Sequence, residues 1–155
     1  SMANAYATFA SGGKYCKPIA IDQILDASGT SMAVPSADCT QAMDQGAADE
    51  TAKTLRATSE PGGTAKDAVF GRPIAGKTGT TDEAENTWFV GFTPQLSTAV
   101  WIGDATESGR SLVGRTIGGV YFPWIYGSDL AAPMWRDYMS QAVANDPALP
   151  IPSHG

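Results

Sequence analysis

Histidine is almost absent from this sequence: the one present, His154, stands next to last among 155 residues. A Ser-His-Asp triad or a Cys-His pair therefore has no base to work with here. Cysteine is nearly as scarce. Cys16 and Cys39 are the only two, and neither sits in a Cys-x-x-Cys pair, which argues against a zinc or thioredoxin-type site. No metal and no cofactor is expected. Ten Lys and Arg face sixteen Asp and Glu, a net charge of −6. Nucleic-acid binding needs clustered basic residues, so no nucleic-acid partner is expected. No stretch approaches the roughly 20 apolar residues of a membrane span, and no signal peptide is legible. Any export signal or anchor is expected upstream of Ser1.

What the chain does have is a globular composition, 43% apolar and 17% charged, at a length that suits one domain or a large piece of one. The two cysteines fit an isolated disulfide. It would close a loop worth about 3 kcal/mol in the chain-entropy model and would place the chain in an oxidising compartment. Two reduced structural cysteines are the other reading.

Met2, Ala5, Tyr6 and Phe9 recur at helical spacing, and Gly12-Gly13 ends that helix. Pro18 to Leu25 is rich in β-branched residues and reads as a strand; Asp26 to Gly29 reads as a turn. Residues 31–38 read as a loop or a short strand, and residues 47–59 as a helix that stops before Pro61-Gly62-Gly63. The second half changes character. Residues 74–81, 87–93 and 97–103 form three strand-like runs joined by short links, which favour antiparallel hairpins. Trp88-Phe89-Val90 and Ala99 to Ile102 are continuously apolar, so coverage on both faces is expected, with Trp88, Phe89 and Trp101 in the core. Tyr121, Phe122, Trp124 and Tyr126 either pack a loop on the sheet or line a groove. A last helix spans residues 132–144, with Met134, Trp135, Tyr138, Met139 and Ala142 as its apolar stripe. The fold class expected is α+β, an antiparallel sheet with flanking helices. Residues 1–145 form the domain portion, and residues 146–155, with three prolines, form an extended tail.

The most informative stretch is Gly71-Arg72-Pro73-Ile74-Ala75-Gly76-Lys77-Thr78-Gly79-Thr80. Its first eight residues match the phosphate-loop pattern G-x-x-x-x-G-K-[ST]. Such a loop must open directly into a helix whose N-terminus faces the phosphates. Here Gly79, Thr80 and Thr81 follow, poor helix formers, and Pro73 removes a backbone donor. The other reading is the Lys-Thr-Gly strand of penicillin-recognising serine acyltransferases. On a strand, Lys77 and Gly79 share one face, Thr78 and Thr80 the other. An edge strand offers free N–H and C=O groups to an extended peptide. Lys77 would supply positive charge for a carboxylate, Gly79 would admit a substrate backbone, and an N–H near Thr80 would face an oxyanion. A bare Lys-Thr-Gly is weak evidence, and its context decides.

That context resembles class A penicillin-binding proteins, the bifunctional cell-wall synthases. Residues 2–13 resemble the helix after that family's second catalytic motif, and Glu60-Pro61-Gly62-Gly63-Thr64-Ala65 the loop before its Lys-Thr-Gly strand. Gly71 to Thr81 resembles that strand. Trp88 to Pro94 and Ala99 to Gly103 resemble the next two strands, and Ala131-Ala132-Pro133-Met134-Trp135 the start of the closing helix. The resemblance implies the C-terminal portion of a serine D,D-transpeptidase domain outside the cytoplasmic membrane, with a five-stranded sheet. It implies D-Ala-D-Ala stem peptides and β-lactams as ligands, and the remainder of the domain as a partner. By the same resemblance Lys77 and Thr80 are catalytic, and Lys77, Thr78, Gly79 and Thr80 bind substrate. The family needs Ser-x-x-Lys and Ser-x-Asn as well. Ser-x-Asn is absent, and the one Ser-x-x-Lys, Ser11 to Lys14, ends a helix where a nucleophile should open one. The chain alone is thus expected to be inactive and, with apolar sheet surface uncovered, poorly stable or self-associating. A class A β-lactamase, a non-catalytic peptide-binding module and the phosphate loop are the alternatives.

Overall fold

The computed structural model describes residues 1–107 and 109–152; His154 lies outside them. Helix α1, Met2–Ala10, opens where the Ser1 hydroxyl accepts the Asn4 N–H and closes at Gly12 and Gly13, both at positive φ. There the Gly13 N–H reaches the Thr8 carbonyl at 2.8 Å.

Residues 14–41 form a surface excursion. Strand β1, Lys14–Tyr15, pairs with β4, Thr40–Gln41, and β2, Ile24–Leu25, pairs with β3, Ser31–Met32. The strand expected over residues 18–25 is therefore reduced to its last two residues. Ile19 and Ile21 are about half exposed: β-branched side chains make a strand only where a neighbour takes its hydrogen bonds, and among the described residues no strand pairs with 18–21. The Asp26–Gly29 turn is present. The Asp26 carboxylate accepts the N–H of Ser28 at 2.8 Å and of Thr30 at 2.9 Å. A disulfide joins Cys16 to Cys39 at the base of the excursion, beside the Lys17–Asp38 ion pair at 2.8 Å.

Helix α2, Gln45–Ala57, starts at Asp44, whose carboxylate accepts the Ala47 N–H at 3.1 Å. The chain then turns at residues 58–74 and enters the sheet. Strands β5 (Ala75–Thr80), β6 (Asn86–Phe92) and β7 (Ser97–Gly103) are antiparallel in the order β5-β6-β7, as the hairpin links imply. Strands β8 (Arg115–Ile117) and β9 (Val120–Phe122) make a separate hairpin, and helix α3, Ala131–Ala142, follows.

The sheet is covered on both faces, as an α+β layer fold requires. On one face α3 presents Ala131, Trp135, Met139 and Val143, spaced four apart, to Phe89, Ile74 and Ala68. The rings of Trp135 and Phe89 meet edge-on, 5.0 Å between centroids. On the other face α1 and α2 bring Tyr6, Phe9, Ala52 and Leu55 onto Ala75 and Phe92. Residues 146–152 run back over the domain: Gln95 donates to the Pro147 carbonyl at 2.7 Å, and Ile151 is buried against Ala75 and Phe92.

Four expectations about packing need correction. Met134 and Tyr138 are more than half exposed and Ala142 is exposed too, because the buried row runs through residues 131, 135 and 139 of α3 and Val143 at its end. Trp88 is half-buried and Trp101 is 39% exposed, so of the three expected core aromatics only Phe89 is fully enclosed. Strand β6 is buried along most of its length, but β7 is only half-buried. Tyr121, Trp124 and Tyr126 stand at the surface, Phe122 is half-buried, and Ile125, between Trp124 and Tyr126, is the residue fully enclosed.

Candidate active-site edge

The hydrogen-bond phase of the sheet decides what β5 offers to a ligand. The Thr81 N–H reaches the Asn86 carbonyl at 3.0 Å, and the Thr93 N–H the Leu96 carbonyl at 3.0 Å. Antiparallel pairs alternate, so in the observed register Lys77 pairs with Val90 and Gly79 with Trp88 through backbone bonds. Thr78 and Thr80 therefore turn their N–H and C=O groups away from β6, to the free edge.

That edge is closed upstream and open downstream. The Thr58 hydroxyl donates to the Gly76 carbonyl at 2.6 Å, and the Ser59 hydroxyl reaches the Ile74 carbonyl at 3.4 Å. The Lys77 ammonium folds over the edge onto the Thr78 carbonyl at 2.7 Å and lies 3.3 Å from the Thr78 hydroxyl. The Thr80 N–H has no acceptor among the described residues. On the α3 side the Thr80 hydroxyl accepts the Gly127 N–H at 3.1 Å.

On the opposite face Lys77 and Gly79 border a largely apolar cleft of about 320 Å³, lined also by Met2, Tyr6, Trp88 and Val90. A Cβ at Gly79 would come within 3.3 Å of Trp88 Cβ, so glycine keeps the strand surface low there. The phosphate-loop reading fails on this geometry. Lys77 and Thr78 sit inside a strand that runs to Thr80, and the next turn is a single 3₁₀ turn, Asp82–Ala84. All four residues read from the sequence thus share one edge. Thr58, Met2, Tyr6 and Gly127 are not legible as neighbours; Thr58 is 18 positions from Gly76 and Gly127 is 47 from Thr80, and only tertiary packing brings them in.

Lys77, Thr78, Gly79 and Thr80 thus lie on an edge strand beside a cleft, in a sheet with helices on both faces. A family model described as the penicillin binding protein transpeptidase domain matches residues 1–115, and the chain belongs to that family. Among curated relatives it is 35% identical over 136 residues to penicillin-binding protein 1A of Aquifex aeolicus, covering 87% of this chain and 17% of that protein. It is 36% identical over 148 residues to penicillin-binding protein 1A of Neisseria meningitidis, covering 92% of this chain and 17% of that protein. The chain thus spans about a sixth of these relatives. Among solved structures it matches the PonA1 protein from Mycobacterium tuberculosis in complex with penicillin V. The TM-score is 0.80 at 32% identity, over 99% of this chain and 40% of that one. Penicillin-binding protein 1A from Haemophilus influenzae shares the fold, with a TM-score of 0.74 at 23% identity over 97% of this chain and 27% of that one.

Proposed function

We propose that this chain is the C-terminal portion of the transpeptidase domain of a serine D,D-transpeptidase that cross-links peptidoglycan stem peptides and is acylated by β-lactams. The observation that carries the reading is the open edge of β5. The Thr80 N–H points outward and has no acceptor among the described residues, beside the Lys77 ammonium at 2.7 Å from the Thr78 carbonyl.

In this role the nucleophilic serine and the Ser-x-Asn motif come from sequence outside residues 1–155. The serine oxygen attacks the penultimate D-Ala carbonyl. The peptide C–N bond breaks, the terminal D-Ala leaves with the proton on its amine, and an ester remains. An amine of a second stem peptide then attacks that ester and releases the serine. In a β-lactam the bond that breaks is the ring amide, so the leaving group stays attached to the acyl-enzyme. The Thr80 N–H supplies half of the oxyanion hole, where preorganised donors act on developing charge. The N–H of the serine supplies the other half. Lys77 faces the Ser-x-Asn serine and the substrate carboxylate, the Thr78 and Thr80 hydroxyls bind that carboxylate, and Gly79 admits the peptide backbone.

The open surfaces fit this reading. Strand β7 turns the N–H and C=O groups of Ala99, Trp101 and Gly103 away from β6, to an edge that no strand among the described residues occupies. The remainder of the domain fills that edge, bringing the sheet to five strands, and covers Trp88 and Trp101. Among the described residues no helix is long and apolar enough to cross a membrane. The Cys16–Cys39 disulfide suits an extracytoplasmic site. PonA1, 32% identical, binds penicillin V, and the same chemistry is proposed here.

Intact mass after incubation with benzylpenicillin tests the reading on residues 1–155 and on the full-length protein. A covalent adduct on the full-length protein alone is expected. No adduct on either overturns the reading.

A further inference from the structure

Gly127 lies close against the backbone of the paired residues Gly79 and Trp88, where β5 and β6 meet. A Cβ there would lie 2.3 Å from the Trp88 carbonyl oxygen and 2.8 Å from the Gly79 carbonyl oxygen. Its φ is not positive, so glycine is required by contact with the strand and not by backbone conformation. The contact brings its N–H onto the Thr80 hydroxyl at 3.1 Å.

The turn that delivers this N–H is held at both ends. Upstream, the Asp129 carboxylate accepts the Tyr126 N–H at 2.8 Å, and the Asp129 N–H returns to the Tyr126 carbonyl at 3.0 Å. Ile125, just before, is fully buried. Downstream, the Gly127 carbonyl accepts the Ala132 N–H at 2.9 Å, which ties the turn to the start of α3. Gly127 therefore cannot drift along the strand without breaking one of these bonds.

The chemical consequence falls on Thr80. A threonine hydroxyl has one proton to donate and two lone pairs. With a lone pair occupied by Gly127, its side chain is fixed and its proton is left for a ligand. A hydroxyl that already accepts a hydrogen bond is also the better donor. Thr80 itself is exposed, so that proton is reachable from the free edge.

We infer that the Tyr126–Asp129 turn is a positioning element for Thr80: Gly127 holds the Thr80 hydroxyl so that its proton is presented to a substrate or β-lactam carboxylate, and Asp129 holds Gly127. The inference rests on the transpeptidase reading above and assigns two positioning residues to it. Neither Gly127 nor Asp129 touches the ligand.

The test is a double-mutant cycle on the full-length protein, reading the second-order rate constant for acylation by benzylpenicillin. Asp129→Ala removes the carboxylate that fixes Tyr126 and is expected to slow acylation about tenfold, in line with the cost of small misplacements near a reacting centre. Asp129→Asn keeps an oxygen acceptor and is expected to restore the rate. In a Thr80→Val background, which lacks the hydroxyl, Asp129→Ala is expected to cost nothing further, because coupled residues are non-additive. Three results overturn the inference alone, provided the unmodified protein is acylated: an Asp129→Ala variant at full rate, an Asp129→Asn variant as slow as alanine, or a loss undiminished in the Thr80→Val background. An unmodified full-length protein that takes no acyl group overturns the transpeptidase reading itself, and this inference with it.

Discussion

The hydroxyl of Thr58 donates to the carbonyl of Gly76 at 2.6 Å, so the residue that caps the end of α2 also closes the upstream part of the β5 edge. This contact separates the blocked half of the edge from the half at Thr78 and Thr80. Replacing Thr58 with valine keeps the shape and removes the donor. The expected cost is about 1 kcal/mol, the net worth of one such hydrogen bond, read as a lower denaturation midpoint of the full-length protein at an unchanged slope. An unchanged midpoint would show that the bond contributes nothing.

The two glycines of the strand make opposite predictions. A Cβ at Gly76 would meet the Phe89 ring at 2.7 Å, the Val90 carbonyl oxygen at 2.8 Å and Gly91 Cα at 2.9 Å. Gly76→Ala is therefore expected to destabilise by about 2 kcal/mol, as overpacking does. At Gly79 the nearest atom is Trp88 Cβ at 3.3 Å, so Gly79→Ala should melt within about 1 kcal/mol of the native protein. Its effect should appear as slower acylation, because the methyl group rises into the cleft. Melting curves and acylation rates on both variants check the pair; equal destabilisation would contradict the assignment of Gly79 to ligand access.

The Cys16–Cys39 disulfide closes an excursion that contributes little to the core: none of the buried hydrophobic residues falls between residues 14 and 41. The chain-entropy value for such a loop is about 3 kcal/mol, but it applies only where the loop and the core unfold together. Local opening separates them. Replacing both cysteines with serine should therefore speed proteolysis within residues 14–41 while leaving the melting temperature of the sheet nearly unchanged. A cooperative loss of the whole fold would contradict this.

Asp104, just after β7, gives the clearest acid response. Its carboxylate accepts the hydroxyl and the N–H of Thr106, the N–H of Glu107 and a bond from Arg110. These donors, the Thr106 hydroxyl foremost, lower its pKa from the ordinary 3.8 to about 2. A depressed carboxylate stabilises the fold above its unfolded pKa and loses that contribution as pH falls through the folded value. The turn should therefore persist at pH 4 and loosen between about 3.8 and about 2. Carboxyl NMR titration checks this, with Thr106→Ala expected to raise the midpoint.

How much of this was legible in the sequence depends on where each element finds its partners. Strands β5 to β7 were, because their links are short and their hydrogen bonds go to sequence neighbours. Lys77, Thr78, Gly79 and Thr80 were placed on one strand for the same reason. The exposure of Trp101 is not legible, because an apolar side chain in a strand looks the same whether its cover lies in this chain or elsewhere. Here its indole N–H donates to Asn86 at 2.8 Å while the ring stays partly exposed. The buried row of α3 is ambiguous in the sequence, because Met134 and Tyr138 fit a helical stripe one row from the buried one. Gly127 carried no local signal at all: a glycine in a glycine-rich segment says nothing of the strand 47 positions upstream that it touches.

The central claim is that the β5 edge at Lys77 is where a β-lactam is captured. Its most direct test is the rate of benzylpenicillin acylation of the full-length protein with Lys77→Ala, compared with the unmodified protein. Lys77 is exposed, so the variant should fold with an unchanged melting temperature. The account predicts a rate about 100-fold lower, the scale of losing one preorganised electrostatic group. A Lys77→Ala protein acylated as fast as the unmodified one would contradict it.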